Sequence, residues 1–377
     1  MDARQYIKNA LTWNRLYRSL SYLRSALWFV PVIAIVLVMA VTPFVRALDS
    51  ALGWTLLGLD ADGAEALYQT VVTLTLSFLV FTFGSLLVAI QVAGGQLTPR
   101  IIATILLSNK VVRYSVGLFV FALVFSVSAM NRQQGAAHQL IVFIAAALGI
   151  ACMAVFLFLI DYAARLLRPV SIVANVGDDA LAVIDAVYPV RSEHPDEAVP
   201  TASRELGRVR NTVSHEGASG IVLAVALQAL VAEARHDDCV IELVPKVGDF
   251  IAYGEPLFVV YGGTAAPEEQ ALRAMVAVGA ERTLEQDPMF GFRILVDIAI
   301  KALSPAINDP TTAVVAIDQI HRLLRELGKR ELRREEVVDQ SGRLRVIFRT
   351  PNWEDFVHLA CNEIRLCGAG NVQVARR

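Results

Sequence analysis

Four long stretches without Asp, Glu, Lys, Arg or His dominate the first 160 residues. Ala26 to Val45, Leu67 to Ala93, Tyr114 to Met130 and Gln139 to Ile160 are apolar runs of about 17 to 27 residues. At ~1.5 Å per helical residue each can cross a hydrocarbon core of roughly 30 Å. Tyr114 to Met130 is the shortest and competes with a buried or re-entrant segment. Read as a span, it gives an even count of four and returns the chain to the side on which it began. Beyond Pro169 the pattern shortens. Val173 through Tyr188 has the spacing of an amphipathic helix, and the polar run near 191–206, with two prolines, reads as a linker. Strand-like Gly220 to Ala224, helical Leu227 to Ala234 and strand-like Val240 to Val244 follow. Helices are predicted from Pro267 to Val278, Phe290 to Leu303 and Pro310 to Leu327. The last has Asp309 as N-cap, Pro310 in its first turn and Gly328 at its end. The predicted architecture is an all-α four-helix transmembrane region, residues 25–168, followed by an α+β domain, residues 169–377.

Composition and charge add a solvent and an orientation. Of 377 residues 55% are hydrophobic and 19% charged, and mean hydropathy is +0.51, too apolar for a soluble domain of this length. Arg4, Lys8, Arg15, Arg18 and Arg24 precede the first run, Arg100, Lys110 and Arg113 separate the second from the third, and Arg165 and Arg168 follow the fourth. The other two connections hold only Arg46 and Arg132, with Asp49, Asp60, Asp62 and Glu65 crowding the first. The positive-inside rule therefore predicts a bacterial inner-membrane protein with both termini and the α+β domain in the cytoplasm. No signal-peptide cleavage site follows the first run, so that span is expected to stay. Residues 1–24 place Tyr6, Trp13, Leu16, Tyr17, Leu20 and Leu23 opposite Arg4, Lys8, Arg15 and Arg18. This is the pattern of a helix lying at a lipid headgroup boundary or packed on the cytoplasmic domain.

Two polar constellations carry candidate function. On the second span Thr70, Thr73, Ser77, Gly84, Gln91 and Gly95 fall within about 60° of one another at 100° per residue. Such a stripe serves close helix packing, or it lines a pore in a homo-oligomer. In the α+β domain Arg282, Asp287, Arg293, Ser304, Asn308, Asp309 and Thr312 gather around predicted helix ends. They either knit those ends together or form a pocket for a small anion. Asp161 and Arg165 read as an i,i+4 pair at the membrane edge.

Other chemistries find no support. Cys152, Cys239, Cys361 and Cys367 lack zinc-site spacing and read as reduced, structural thiols. The six histidines are scattered, and no nucleophile elbow, phosphate loop, dinucleotide fingerprint or metalloprotease motif occurs, so no catalytic residue, metal or cofactor is predicted. Arg330, Arg333 and Arg334 alternate with Glu331, Glu335 and Glu336 like a solvated helix face, which argues against nucleic acid. From Gly248 the rhythm G-x-x-I-x-x-G-x-x-L is like half of a biotinyl or lipoyl barrel. No lysine sits at the hairpin tip, so the glycines are assigned to tight turns.

Three runs carry a more specific signal: Leu87 to Arg100 (LVAIQVAGGQLTPR), Asp287-Pro-Met-Phe-Gly291, and Ile298 to Ala313 (IAIKALSPAINDPTTA). With them nearly the whole chain resembles the bacterial predicted membrane proteins grouped as domain of unknown function 2254. The resemblance implies the membrane architecture and brings no activity, substrate or catalytic residue. Members continue with a further helix beyond the equivalent of Gly368 to Arg377, which leaves open a truncated chain or a short member. Two functions remain in view. One is a homo-oligomeric channel with a cytoplasmic regulatory domain. The other is a membrane-anchored sensor or scaffold that binds a cytoplasmic protein partner or a small anion.

Overall fold

A computed structural model describes residues 28–52, 57–96, 110–131, 138–166, 168–190, 206, 208–263, 267–332 and 336–377. The amphipathic segment 1–24, nearly all of the linker 191–206, and Arg100 and Arg132 lie outside them. The chain forms two compact units that divide between Ile172 and Val173.

The first unit is helical. Its elements are α1 (Phe29–Leu52), α2 (Ala61–Gln96), α3 (Lys110–Met130) and α4 (Gln139–Leu166). All four are long and apolar enough to cross a membrane. α2 starts six residues before its apolar run because the Asp60 carboxylate accepts a hydrogen bond from Gly63 N at 2.9 Å. That N-cap draws Asp62 and Glu65 into the first turns, where a negative charge meets the positive end of the helix dipole. α3, the marginal run, is a full helix of 21 residues and the most enclosed one, with Phe119, Ala122 and Phe125 wholly buried. Phe78 of α2 stacks on Phe156 of α4 at 4.2 Å and tilts against Phe119 at 5.8 Å. A polar clasp closes one end of the bundle. Asp49 accepts from Leu140 N and pairs with His138 Nδ1, both at 2.9 Å, while Gln139 bonds Gly58 N and Leu59 O. Asp161 and Arg165 form the expected i,i+4 ion pair.

The second unit takes in most of α5 (Pro169–Val187), then β1 (Val209–Ser214), β2 (Gly220–Val225), α6 (Leu227–His236), β3 (Cys239–Leu243), β4 (Phe250–Ile251) and β5 (Pro256–Gly262). There follow α7 (Glu269–Ala274), β6 (Val276–Gly279), α8 (Pro288–Leu303), α9 (Pro310–Leu327), β7 (Glu336–Val338), β8 (Leu344–Phe348), α10 (Trp353–Gly368) and α11 (Val372–Ala375). One sheet has the order β1-β5-β3-β8-β7, with only β3 and β8 parallel; the other has the order β4-β2-β6. Buried and half-buried residues alternate along β2 and β3. Their inward side chains join Phe258, Leu230, Met275 and Val346 in one apolar core.

α8 is the axis of the helical half. Phe292 packs 5.2 Å from Phe356, which meets Tyr188 edge-on at 6.4 Å. A side chain at Gly291 would lie 2.5 Å from the Ala180 methyl, so glycine there lets α8 approach α5. The predicted helix Pro267 to Val278 is corrected. It ends at Ala274, and Val276 to Gly279 pairs antiparallel with β2. β-branched valines and a distant pairing partner override the local helical spacing there.

Candidate functional site

The stripe on α2 faces away from the rest of its own unit. Thr70, Thr73, Ser77, Gly84, Gln91 and Gly95 are all exposed, and nothing lies within 4 Å of where a side chain would begin at Gly84 or Gly95. The face that packs inside the bundle is instead Ala64, Tyr68, Val71, Thr75, Phe78, Thr82 and Ala89, roughly 150° away around the helix. Close packing among the four spans of one chain therefore does not use the stripe. The hydroxyls of Thr70, Thr73 and Ser77 donate to Ala66 O, Gln69 O and Thr73 O, each at 2.8 Å. Their donors are used within the helix, and lone pairs remain outward.

Spacing gives this face a second property. Thr70, Ser77, Gly84 and Gln91 recur every seven residues, and so do Thr73, Val80, Leu87 and Gly94, three positions on. Val80 and Leu87 are 67% and 66% exposed. A seven-residue repeat on two interleaved rows is the seam of a left-handed helix pair. Projection at 100° per residue gathers the polar members of that seam and leaves Val80 and Leu87 unnoticed; a count of sevens finds them. The other outward faces differ. α1 exposes Val36, Met39 and Phe44, and α4 exposes Ile150, Met153, Leu157 and Phe158, all large and apolar.

The constellation in the second unit separates into independent knots. Asp287 caps α8 by accepting from Phe290 N at 3.0 Å, and its other oxygen takes Arg282 Nε and Nη2 at 2.8 and 2.6 Å. Burial pushes the Asp287 carboxyl up, against the pull of the guanidinium. Arg282 also lies 5.3 Å over the Phe290 ring. Gly248 abuts this pair, since a side chain there would come within 2.6 Å of both partners, and its φ of +94° is itself one that glycine tolerates. Arg293 is held separately, by Asp297 one turn along α8 and by Glu363 of α10. The hydrogen bonds that Arg293 donates to Glu363, first, and to Asp297 raise its already high pKa, and Arg293 in turn lowers that of Glu363.

The remaining residues shape one turn. Asp309 caps α9 by accepting from Thr312 N at 3.1 Å and from its hydroxyl, and Ser304 Oγ donates to Lys301 O at 2.7 Å. Asn308 adopts φ +48° between α8 and α9, a left-handed conformation that asparagine accepts better than most residues. Of the residues proposed as one anion pocket, Arg282 and Arg293 thus spend their charge on separate carboxylates.

Two arginine sites escaped the sequence reading. Arg345, only 6% exposed, donates to Asp339 at 2.8 Å and to Asp238 at 2.9 Å. Hydrogen bonds from Ser341 and Arg345 hold the Asp339 carboxyl well below the usual range, and Arg345 lowers Asp238. The turn Asp339-Gln-Ser-Gly342, with Gly342 at φ +77°, was its readable signal. Arg330 is the other. It is no solvated helix charge, for its guanidinium pairs with Asp185 and donates to Tyr188 O at 3.1 Å. Among the described residues no cluster of His, Cys, Asp and Glu has the makings of a metal site. Cys152 and Cys239 are buried, but Cys361 and Cys367 are exposed, so only the first two fit the structural role expected of all four.

Known proteins resemble the chain at the level of sequence. The "Uncharacterized protein Mb1321c" of Mycobacterium bovis and the "Uncharacterized protein Rv1290c" of Mycobacterium tuberculosis are each 26% identical to it over 378 aligned positions, covering 94% of this chain and 71% of theirs. No solved structure matches. A family described as "Predicted membrane protein (DUF2254)" matches residues 24–377. With four membrane-length helices preceding a mixed α/β unit, the chain belongs to that family of predicted membrane proteins.

Proposed function

We propose that this membrane protein is a homo-oligomeric channel of the bacterial cytoplasmic membrane, assembled through α2, with its α/β unit in the cytoplasm as a regulatory domain. One observation carries the reading: α2 turns the row Thr70, Ser77, Gly84 and Gln91 outward beside exposed Val80 and Leu87, while the outward faces of α1 and α4 carry large apolar side chains such as Met39, Phe44, Leu157 and Phe158. Lipid rewards the second kind of surface and gives nothing for the first, whereas small residues let two helix backbones approach closely. Copies inserted with one topology and related by rotation about the membrane normal bring α2 helices together in parallel. Around such an axis the hydroxyls present acceptor lone pairs, which suit a cation or water better than an anion. Orientation rests on Lys110, Arg113, Arg165 and Arg168 flanking one side and Asp49, Asp60, Asp62 and Glu65 the other.

Cysteine cross-linking and flux test the two halves of this reading separately. With Cys361 and Cys367 replaced by serine, Ser77→Cys and Gly84→Cys are expected to give disulfide-linked dimers in membranes, and Val36→Cys none. Absence of those dimers overturns assembly through α2. Purified protein in liposomes is expected to conduct cations, with conductance altered by Gln91→Leu. Cross-links without flux remove the channel and leave the oligomer.

A further inference from the structure

The second unit contains a cavity of about 310 Å³, at the lower end of the roughly 300–1,000 Å³ of small-molecule sites. It lies where the end of α5, the β2–α6 junction, the segment before α8 and the segment after β8 converge. Its walls are mainly apolar, with Val187, Val225, Leu227, Val247, Pro288 and Phe348 among them. Its polar lining is Tyr188, Glu285, Gln286, Asp287, Arg349 and Thr350, of which Glu285, Gln286 and Arg349 matter most here.

Glu285 and Arg349 stand exposed at the cavity mouth and Gln286 is half-buried. Gln286 is anchored, for its Oε1 accepts from Val225 N at 3.2 Å. Its amide nitrogen, the Glu285 carboxylate and the Arg349 guanidinium have no hydrogen-bond or ion-pair partner among the described residues. This sets Arg349 apart from Arg282, Arg293, Arg330 and Arg345, all of which are paired. Asp287 also reaches the cavity wall, but its oxygens are occupied by Arg282 and Phe290 N. One uncommitted cation, one uncommitted anion and one amide donor thus border an apolar space of ligand size.

The geometry points to a binding site for a small zwitterion with an apolar body, an α-amino acid or a close analogue. Its carboxylate pairs with Arg349 and the Gln286 amide, its ammonium pairs with Glu285, and its side chain fills the apolar walls. A dianion would meet Glu285, and a wholly apolar molecule would draw on neither charge, both of which are exposed at the rim. Neighbouring apolar walls strengthen each charge pair relative to water. The inference does not depend on conduction through α2, because every residue it uses belongs to the second unit. It supplies the regulatory unit with a class of signal.

The experiment is calorimetry on the full chain in nanodiscs, with empty nanodiscs as control and L-phenylalanine as probe. L-phenylalanine is expected to bind saturably, phenylalaninamide and N-acetylphenylalanine at least about tenfold more weakly, since each lacks one charge. Arg349→Gln is expected to weaken L-phenylalanine by a similar factor while leaving the thermal unfolding midpoint unchanged, because the replaced side chain is exposed and unpartnered. Glu285→Gln is expected to weaken L-phenylalanine but not N-acetylphenylalanine. No saturable heat up to about 10 mM overturns the proposal, as does equal binding of all three probes. Unchanged affinity in Arg349→Gln, with folding intact, overturns it too.

Discussion

The polar residues of α2 and those around α8 and α9 have opposite fates. Both groups stand out in the sequence as unusual densities of Thr, Ser, Arg and Asp. Around α8 and α9 the charged members of that group are spent: Arg282 on Asp287, Arg293 on Asp297 and Glu363, Asp309 on the amide of Thr312. On α2 the hydroxyls close onto their own helix and the glycines touch nothing. Density of polar residues is therefore a poor guide to an open site. What separates the two regions is whether the fold supplies a partner. A carboxylate buried to 4% exposure must have one, whereas a serine bonded to its own i−4 carbonyl leaves its outer face available.

Breaking a closed knot is the largest effect expected. Asp287→Ala removes the partner of Arg282 and the N-cap of α8 together, and is expected to destabilise the second unit by about 3 kcal/mol in denaturant titration. The cost stays near the lower end for a buried pair because a quarter of the Arg282 side chain already reaches water. Asp287→Asn retains an oxygen for Phe290 N and is expected to cost about half as much. If Asp287→Ala proved neutral, the pair would be ornamental and its residues free for another role.

Acid provides a second way into the knots. Asp339 and Asp238 have lowered pKa values through Ser341 and Arg345, so the folded state binds fewer protons than the unfolded chain. The stability they contribute is fully present above the ordinary carboxylate value of roughly 4, and it is lost as pH falls through their lowered folded values. Thermal scans between pH 6 and pH 3 are expected to show the midpoint falling only in the acid part of that range. Arg345→Met should lower the midpoint at pH 6 and reduce this acid slope without abolishing it, because Asp238 loses its main partner while Ser341 still lowers Asp339. A slope unaffected by the substitution would assign the acid sensitivity elsewhere.

Much of this is legible in the sequence, for identifiable physical reasons. Membrane spans announce themselves because hydrocarbon excludes charge over a whole helix, and Asp309 and Pro310 mark the start of α9 through local backbone chemistry. β6 was missed, as its four residues become a strand only by pairing with β2 some fifty positions earlier. That the polar residues knit helix ends was one of the two readings, but their distant partners were hidden for a similar reason. Arg293 and Glu363 lie seventy residues apart, and nothing local says that one will neutralise the other. Arg349 is one of several arginines without a partner among the described residues, as are Arg235, Arg325 and Arg365, and only the fold shows that it borders a cavity.

The outward face of α2 should respond to bulk far more than that of α1. Gly84→Leu places a large side chain where two backbones are to meet, and is expected to weaken self-association by at least about tenfold, or roughly 1.4 kcal/mol, measured by energy transfer between labelled copies in lipid. Met39→Leu on α1, at a position 74% exposed, is expected to change it by less than about twofold. Equal responses at the two positions would make the faces equivalent and remove the special status of the heptad rows.

Thr73→Val should have the smallest effect and be the most discriminating. The substitution keeps the shape and removes a hydroxyl whose proton is already committed to Gln69 O at 2.8 Å. If the stripe works by shape alone, losing that oxygen costs nothing in association, since the valine methyl fills the same volume. If outward lone pairs accept hydrogen bonds across the seam, the loss is expected to be about 0.6 kcal/mol, the usual scale for a polar contact between membrane helices, or roughly threefold in affinity. A conducting axis gives a third result: association unchanged and cation flux reduced, because the missing oxygen would have faced water and ions, not a neighbouring helix. The same single substitution, read by energy transfer and by liposome flux, thus separates packing by shape, packing by hydrogen bonds and an ion path.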